Sequence, residues 1–349
     1  MDAKKSYISH NINLPEAGCV RVGPITAIPD LLRAHARETP EQILAEVDID
    51  LTLFDNTENT ISYVKAGQLF KLCAKHTGIP HFGLLVGQHA GPDSLGRLSA
   101  FAIHSPNAGS ALHNMILHLC IHDRGGIPTL TTNNGTATMG FAIYQAMQGG
   151  ASQVCMCSMA IICNTMRALC GETWAPSQVL FTHSQPDDIK PYTSLFNAEL
   201  IFNSDMNALI FPDRWLQKSI PGADPQQYRA LVEELTTIKS HVNIDILEQV
   251  RSLMHPLIVS GKCSETHLAQ VLSIHPRTLN RRLKERETTF RSLIADTRYE
   301  ISKQLLAESK TSILGISIIL GYTDASVFTR AFRRWSGESP KAWRTENRI

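Results

Sequence analysis

The sequence predicts a mixed α/β N-terminal domain followed by an all-α C-terminal domain with two helix-turn-helix units. Three observations carry this expectation. Short β signals alternate with amphipathic helical stretches as far as Phe211. From Asp245 onward the apolar spacing is almost wholly helical. The last hundred residues then hold two copies of one pattern, a short helix, a tight turn and an arginine-bearing helix, ending in HPRTLNRRLKE (275–285) and GYTDASVFTRAFRRW (321–335).

Composition bounds the class. A chain of 349 residues suits two or three domains. Its 43% hydrophobic and 19% charged residues are those of a globular protein. The net charge of +1 is uninformative, but its distribution is not: residues 1–240 carry −5 and residues 241–349 carry +6. The basic surplus falls on the tandem helical part, where a phosphate-binding surface needs it. The eight cysteines show no disulfide spacing. MDAKKSYISHNINL lacks the apolar core of a signal peptide, and no stretch has the length and apolarity of a membrane span. A cytoplasmic, reduced protein is expected, with its thiols serving as small core residues.

The elements follow in order. Residues 1–22 read as a loosely held polar lead. Ile28–Arg37 reads as a helix ending before Pro40, and Ser62–His76 as a helix stopped by Gly78 and Pro80. After Pro106 and Asn107, Leu112, Met115, Ile116 and Leu119 mark a helix from about Gly109 to Ile121. Thr129–Thr132 and the alternating Thr136–Tyr144 flank Asn133, Asn134 and Gly135 as a hairpin. The length and the Met and Ala content of Val154–Cys170 favour a buried helix. Gln178–Thr182 reads as a strand, and Glu199–Asn203 with Asn207–Phe211 as a pair of strands around Asp205. PGADPQ (221–226) is the clearest boundary, followed by a connecting helix, Tyr228–Lys239, with Leu231, Leu235 and Ile238 on one face. That helix either packs on its own domain or pairs with a second copy.

In the first C-terminal unit, Ser264 is a helix cap and Pro276 suits the first position of the next helix. Leu279 and Leu283 face inward, leaving Arg277, Asn280 and Arg281 for base edges. Arginine makes a two-pronged contact with guanine, and asparagine with adenine. Arg282, Lys284 and Arg286 suit phosphates. In the second unit, Gly321 turns the chain, Asp324 caps, and Phe328 and Phe332 are buried. Ala325, Ser326, Thr329 and Arg330 are left for base edges, and Arg333 and Arg334 for phosphate. One arginine-rich bundle helix is usually a solvated face; two matched units with a basic surplus favour DNA.

The text from Ser264 to Arg344 closely resembles the DNA-binding domain of the AraC/XylS family of bacterial transcription regulators, most specifically in LGYTDASVFTRAFRRWSGESPKAWR. The family's base-reading positions fall on the residues just assigned. The chain has Ser273 and His275 where the family usually has Gly and Ser, Gly315 in place of a helix former, and Ser317 in place of Ala. A left-handed turn at Ser273 costs roughly 1 kcal/mol more than at glycine, and His275 is a poorer cap than serine. HFGLLVGQHA, HDRGGIPTL, GFAIY, RALCGETWAP and ALIFPDRWLQKSIPGADP resemble the sensor domain of a larger branch of that family, the arabinose-binding-like domain of ornithine-utilisation-type regulators. The resemblance implies effector sensing, dimerisation and control of an operon, commonly by activation through RNA polymerase.

The expected division is a lead over 1–23, an effector-sensing and dimerising domain over 24–220, a linker with connecting helix over 221–245, and the DNA-binding domain over 246–345. The expected partners are double-stranded operator DNA and a small-molecule effector, with no membrane, no cofactor and no catalysis. Two alternatives are a small-molecule enzyme and a metal or thiol redox sensor fused to the DNA-binding part. His118 and His122, four apart on the predicted helix with Asp123 alongside and His113 further back, have metal-ligand spacing, but packed histidines are the commoner outcome. Cys155 and Cys157, with Cys163 and Cys170, read as buried thiols before a redox switch. Asp123 and Arg124 suit a helix end or a surface ion pair. Tyr144 and Trp174 suit pocket walls or aromatic core.

Overall fold

The computed structural model of the chain describes residues 14–347 apart from 146, 148, 242–244, 260 and 273. Strand β1 (Cys19–Arg21) pairs antiparallel with β2 (Thr60–Ser62), so the end of the expected lead is built into the fold. Between them lie α1 (Ile28–His35) and α2 (Pro40–Ala45). The second of these was not expected from sequence. Thr39 and Gln42 form a capping box at its start, and Pro40 occupies the first turn, where no N–H is needed. Helix α3 (Tyr63–Thr77) starts at Ser62, whose side chain accepts the Lys65 N–H, and stops at left-handed Gly78. Helices α4 (Phe82–Gln88), α5 (Ser99–His104) and α6 (Ala108–Leu117) follow.

The hairpin of β3 (Gly126–Asn133) and β4 (Thr136–Ile143) turns through Asn134 and Gly135, both at positive φ, as a tight two-residue loop requires. Helix α7 (Ala151–Cys170) is the buried core helix expected from composition. Then come β5 (Gln178–Leu180), α8 (Lys190–Phe196), β6 (Glu199–Ile201) and β7 (Asn207–Pro212). The sheet order is β3-β4-β7-β5-β6, parallel only between β5 and β6. The expected pairing of the last two strands with each other therefore does not form. Strand β7 lies between β4 and β5 and is buried on both faces, with Leu209 and Phe211 on one and Ala208 on the other.

Helix α7 lies against the sheet and against α4. A Cβ at Gly83 would fall deep inside contact range of the Gln153 carbonyl oxygen, and one at Gly87 would do the same at Cys157. Two glycines four apart thus let the backbones of α4 and α7 touch. Trp174 packs edge-on to Phe211 in the same core, so it is not a pocket wall.

Helix α9 (Pro225–His241) is the connector. Its Leu235 is wholly buried with Leu98, Phe101, Met115 and Ile121, so the helix packs on its own domain; the side chain of Ile238 lies outside the described residues. Tyr228 accepts a hydrogen bond from the Asn114 side chain at 2.9 Å.

The C-terminal part is α10 (Ile246–Val259), α11 (Glu265–Val271), α12 (Pro276–Lys284), α13 (Phe290–Glu308), α14 (Ile313–Ile319), α15 (Ala325–Ser336) and α16 (Pro340–Asn347). It has two small cores. One gathers Met254, Leu268, Leu279, Leu283 and Leu293; the other gathers Leu305, Ile316, Leu320, Phe328 and Phe332. The 19 residues of α13 contribute to both. At 1.5 Å per residue the helix is about 28 Å long, and it sets the separation of the two units.

Gly83→Ala should destabilise the N-terminal domain by about 1–3 kcal/mol, because the obstructing atom is backbone and cannot rotate away. Thermal unfolding measures it, and an unchanged Tm would contradict the close α4–α7 crossing.

Candidate functional site

In the first unit, the Ser264 side chain accepts the His267 N–H to start α11. His275 stands at the start of α12 and its Nδ1 accepts the Arg277 N–H at 3.2 Å, so the imidazole performs the cap expected to be weak. The turn at Ser273 lies outside the described residues. Leu279 and Leu283 are fully buried, while Arg277, Asn280, Arg281, Arg282, Lys284 and Arg286 are exposed. Three of these side chains are held by acidic neighbours. Asn280 donates to Glu265 at 2.6 Å, Arg281 donates to Glu285 at 2.6 Å, and Arg286 meets Asp245 at 3.0 Å.

In the second unit, Ser312 caps α14 by accepting the Gly315 N–H. Gly321 turns at positive φ, and the Asp324 carboxylate accepts the N–H groups of Ser326 and Val327. Phe328 and Phe332 are buried. Ser326, Arg330, Arg333 and Arg334 are exposed, and Ala325 and Thr329 are half-buried. The Thr329 hydroxyl donates to the Ala325 carbonyl at 2.7 Å. Ser317 is buried and donates to the Leu314 carbonyl at 2.7 Å, so its hydroxyl is accommodated where alanine is usual.

The N-terminal domain holds a cavity of about 130 Å³. Carbon dominates its walls: Phe70 from α3, Leu112 and Met115 from α6, Met139 and Phe141 from β4, and Cys157 and Ile161 from α7. Two polar side chains on the walls are buried without a hydrogen-bond partner: both ring nitrogens of His122, and the Thr165 hydroxyl. Burial, aided by Arg21, lowers the His122 pKa to about 3, so the ring is neutral. Helix α6 ends at Leu117, and His118 and His122 lie beyond it on either side of a short 3-10 turn, so the helical face needed for a four-residue metal spacing does not form.

Asp123 is neither a helix cap nor part of a surface pair. Its carboxylate accepts the Tyr63 hydroxyl at 2.7 Å and the N–H groups of Gly125 and Gly126 at 2.8 and 2.9 Å. Burial pushes its pKa up to about 6 against those three donors. Arg124 instead reaches the C-terminal domain: its Nε donates to Glu248 of α10 at 2.6 Å, and its Nη2 completes a two-pronged pair. Sequence reasoning missed this partner, because no local spacing links residues 124 apart.

A second contact joins the domains at the start of α7. Gly150 precedes that helix and provides no side-chain cap. The carboxyl of Glu308, the last residue of α13, lies against the Ala151 and Ser152 amides. Its Oε2 is withdrawn from solvent and has no hydrogen-bond partner. Burial raises its pKa to about 7, with the two amides acting in the opposite direction. The Ser184 N–H donates to the Glu308 carbonyl at 2.9 Å, and the Lys310 N–H donates to the Asn203 side chain at 2.7 Å. Tyr144 lines the adjoining cleft.

A cavity-bearing α/β domain joined to paired helix-turn-helix units defines a ligand-responsive DNA-binding protein. Comparison with known proteins agrees. Residues 39–220 match the family model described as the arabinose-binding domain of AraC transcription regulator, N-terminal, and residues 268–346 match a helix-turn-helix domain. The ornithine utilization regulator of Pseudomonas aeruginosa is 24% identical over 84% of this chain and 86% of its own. The regulator VirS of Mycobacterium tuberculosis is 24% identical over 93% and 96%. The crystal structure of the transcriptional regulator CdpR from Pseudomonas aeruginosa covers 91% of this chain and 96% of its own at 18% identity, with a TM-score of 0.46. The chain belongs to the AraC family of transcription regulators: it is a DNA-binding regulator with a ligand-binding N-terminal domain.

His275→Ala should cost the C-terminal domain about 0.5–2 kcal/mol, while His275→Ser should match or exceed the parent. Denaturant unfolding of the full chain, followed by probes in that domain, measures both. Equal stability of His275→Ala and the parent would remove the imidazole cap.

Proposed function

We propose that residues 24–220 sense a small effector and residues 246–345 read operator DNA, with the 1–23 lead and the 221–245 connector completing the chain. In this reading Glu308 couples the two parts. The observation that carries it is the Glu308 carboxyl at the start of α7, because the same helix lines the cavity through Cys157, Ile161 and Thr165. A ligand that shifts α7 acts on a residue at the end of α13, the helix shared by both DNA-binding units. Effector and operator affinities are then coupled reciprocally. The N-terminal domain binds its ligand without turning it over. The protein acts in the cytoplasm, as a dimer, and activates transcription through RNA polymerase.

Base edges are read by Arg277, Asn280 and Arg281 from α12 and by Ala325, Ser326, Thr329 and Arg330 from α15. Arg282, Lys284, Arg286, Arg333 and Arg334 hold phosphates. Glu265, Glu285 and Asp245 then act as stand-ins that Asn280, Arg281 and Arg286 exchange for DNA. Arg281→Ala or Arg330→Ala should lower specificity by about 1–3 kcal/mol where a two-pronged base contact is lost. Lys284→Ala or Arg334→Ala should weaken all sequences alike and reduce the salt slope. Competition titrations at several salt concentrations separate the two groups. Losses equal on every sequence for Arg281→Ala and Arg330→Ala would reject base reading by them.

The Glu308 contact also has a pH signature. Released, the carboxyl titrates near the ordinary 4.5; docked, it takes its proton at about 7. The docked state binds more protons between those values, so docking weakens as pH rises from about 4.5 to about 7 and is level above that. Lys71, His255, Glu300 and Lys303 line the same cleft, and Cys155 faces the carboxyl from α7. Burial holds His255 neutral down to about 4. Hydrogen-exchange protection factors at Ala151 and Ser152 should fall across this range in the parent and stay level in Glu308→Gln. The same pH dependence in both proteins would sink the coupling role.

A further inference from the structure

The cavity in the N-terminal domain defines the chemistry of its ligand. Its volume of about 130 Å³ is close to that of an apolar protein cavity of about 150 Å³ that takes up benzene. Its walls offer two unpartnered polar groups, the neutral His122 ring and the Thr165 hydroxyl. The other polar groups nearby are engaged. Both oxygens of Asp123 accept hydrogen bonds, and Arg21 is held by the Ile121 and Glu58 carbonyls and the Glu58 carboxylate.

Resting on the regulator reading above, we propose that this cavity is the effector site and takes a compact, uncharged, mostly apolar molecule with one hydroxyl or carbonyl group, of the size of phenol or cyclohexanol. A neutral imidazole has one donor and one acceptor nitrogen, and the threonine hydroxyl can do either. Either can pair with one hydroxyl or carbonyl, with the ring of the ligand against carbon. A pentose carries several hydroxyls, each losing water on entry, and most would face carbon; an unpaired buried polar group is more costly than a made hydrogen bond is favourable. An amino acid brings two charges that find no free counter-charge on these walls and pay still more to leave water.

The test uses the full chain and two readouts. Calorimetric titrations with phenol, cyclohexanol, methylcyclohexane, L-arabinose and L-ornithine measure binding, and operator titrations with each probe measure DNA affinity. Phenol or cyclohexanol should bind saturably, and methylcyclohexane, matched in shape but lacking the hydroxyl, should bind more weakly. Thr165→Val should lower the affinity about threefold to tenfold, the worth of one net hydrogen bond. Ala66→Leu, which fills the cavity from α3, should abolish binding while the circular dichroism spectrum is kept. Saturable binding of arabinose or ornithine with none of the ring alcohols, or no binding by any ring probe, overturns the ligand class. Binding that Ala66→Leu and Thr165→Val leave intact overturns the site. Ring-alcohol binding that responds to both variants but leaves operator affinity unchanged upholds the ligand class and instead counts against the regulator reading on which it rests.

Discussion

A helix capped by glycine has no side chain at its cap to hold its first amides, and Gly150 stands at the start of α7. Four N–H groups at a helix start need outside partners, and the positive end of the helix dipole adds to the demand for an anion there. At this start the chain places a carboxyl from the other domain, Glu308. The arrangement sets two costs against each other. Removing the carboxyl from water opposes ionisation, and the two amides favour it. Burial outweighs the amides, so the carboxyl takes up its proton at about pH 7. A contact so poised is held without being locked.

The rest of α7 has little freedom. Its 20 residues are pressed against α4 through backbone contact at Gly83 and Gly87, and its Arg167 side chain donates to the Trp174 and Leu195 carbonyls. A displacement at one end of such a rod is transmitted along it, not absorbed. From Ala151 to Thr165 the rise is about 21 Å, which separates the domain contact from Thr165 on the cavity wall. The packing is therefore suited to carrying a shift, and the polar contact at the helix start is suited to yielding to one.

Much of this was legible in sequence, and for identifiable reasons. The caps at Ser264 and Asp324, the buried pairs Leu279 with Leu283 and Phe328 with Phe332, and the tight turn after Asn133 depend on neighbours a few residues away. The same holds for α7, whose apolar run is long enough to exclude a strand. What escaped was set at long range. Strand β7 is buried on both faces, and no local pattern announces that its neighbours are β4 and β5. Helix α4 was hidden because Gly83 and Gly87 are poor helix formers that the packing of α7 demands. Asp123 and Arg124 look like an adjacent charge pair, yet the backbone sends one inward to Tyr63 and the other across to Glu248. The cavity itself is assembled from six separate stretches of chain, and its two orphaned polar groups, His122 and Thr165, become recognisable only when the walls are in place.

The two domains are joined by polar contacts, while their apolar cores remain separate. Among the described residues, each apolar cluster lies wholly within residues 14–235 or wholly within 246–343. The polar contacts described across the boundary include the Arg124–Glu248 pair, the Glu308 carboxyl and carbonyl, the Cys155–Gln304 hydrogen bond, and the hydrogen bonds from Lys310 and Thr311 to Asn203. Each can exchange protein for water at a net cost of about 0.5–1.5 kcal/mol for a neutral hydrogen bond, or up to about 3 kcal/mol where a charge takes part. Allosteric couplings commonly amount to about 1–3 kcal/mol. An effector thus needs only to alter one or two of these contacts to change DNA affinity by a useful factor. An apolar interface of the same extent would resist so small a free energy, and would leave the DNA-binding domain in one orientation whether or not the cavity was filled.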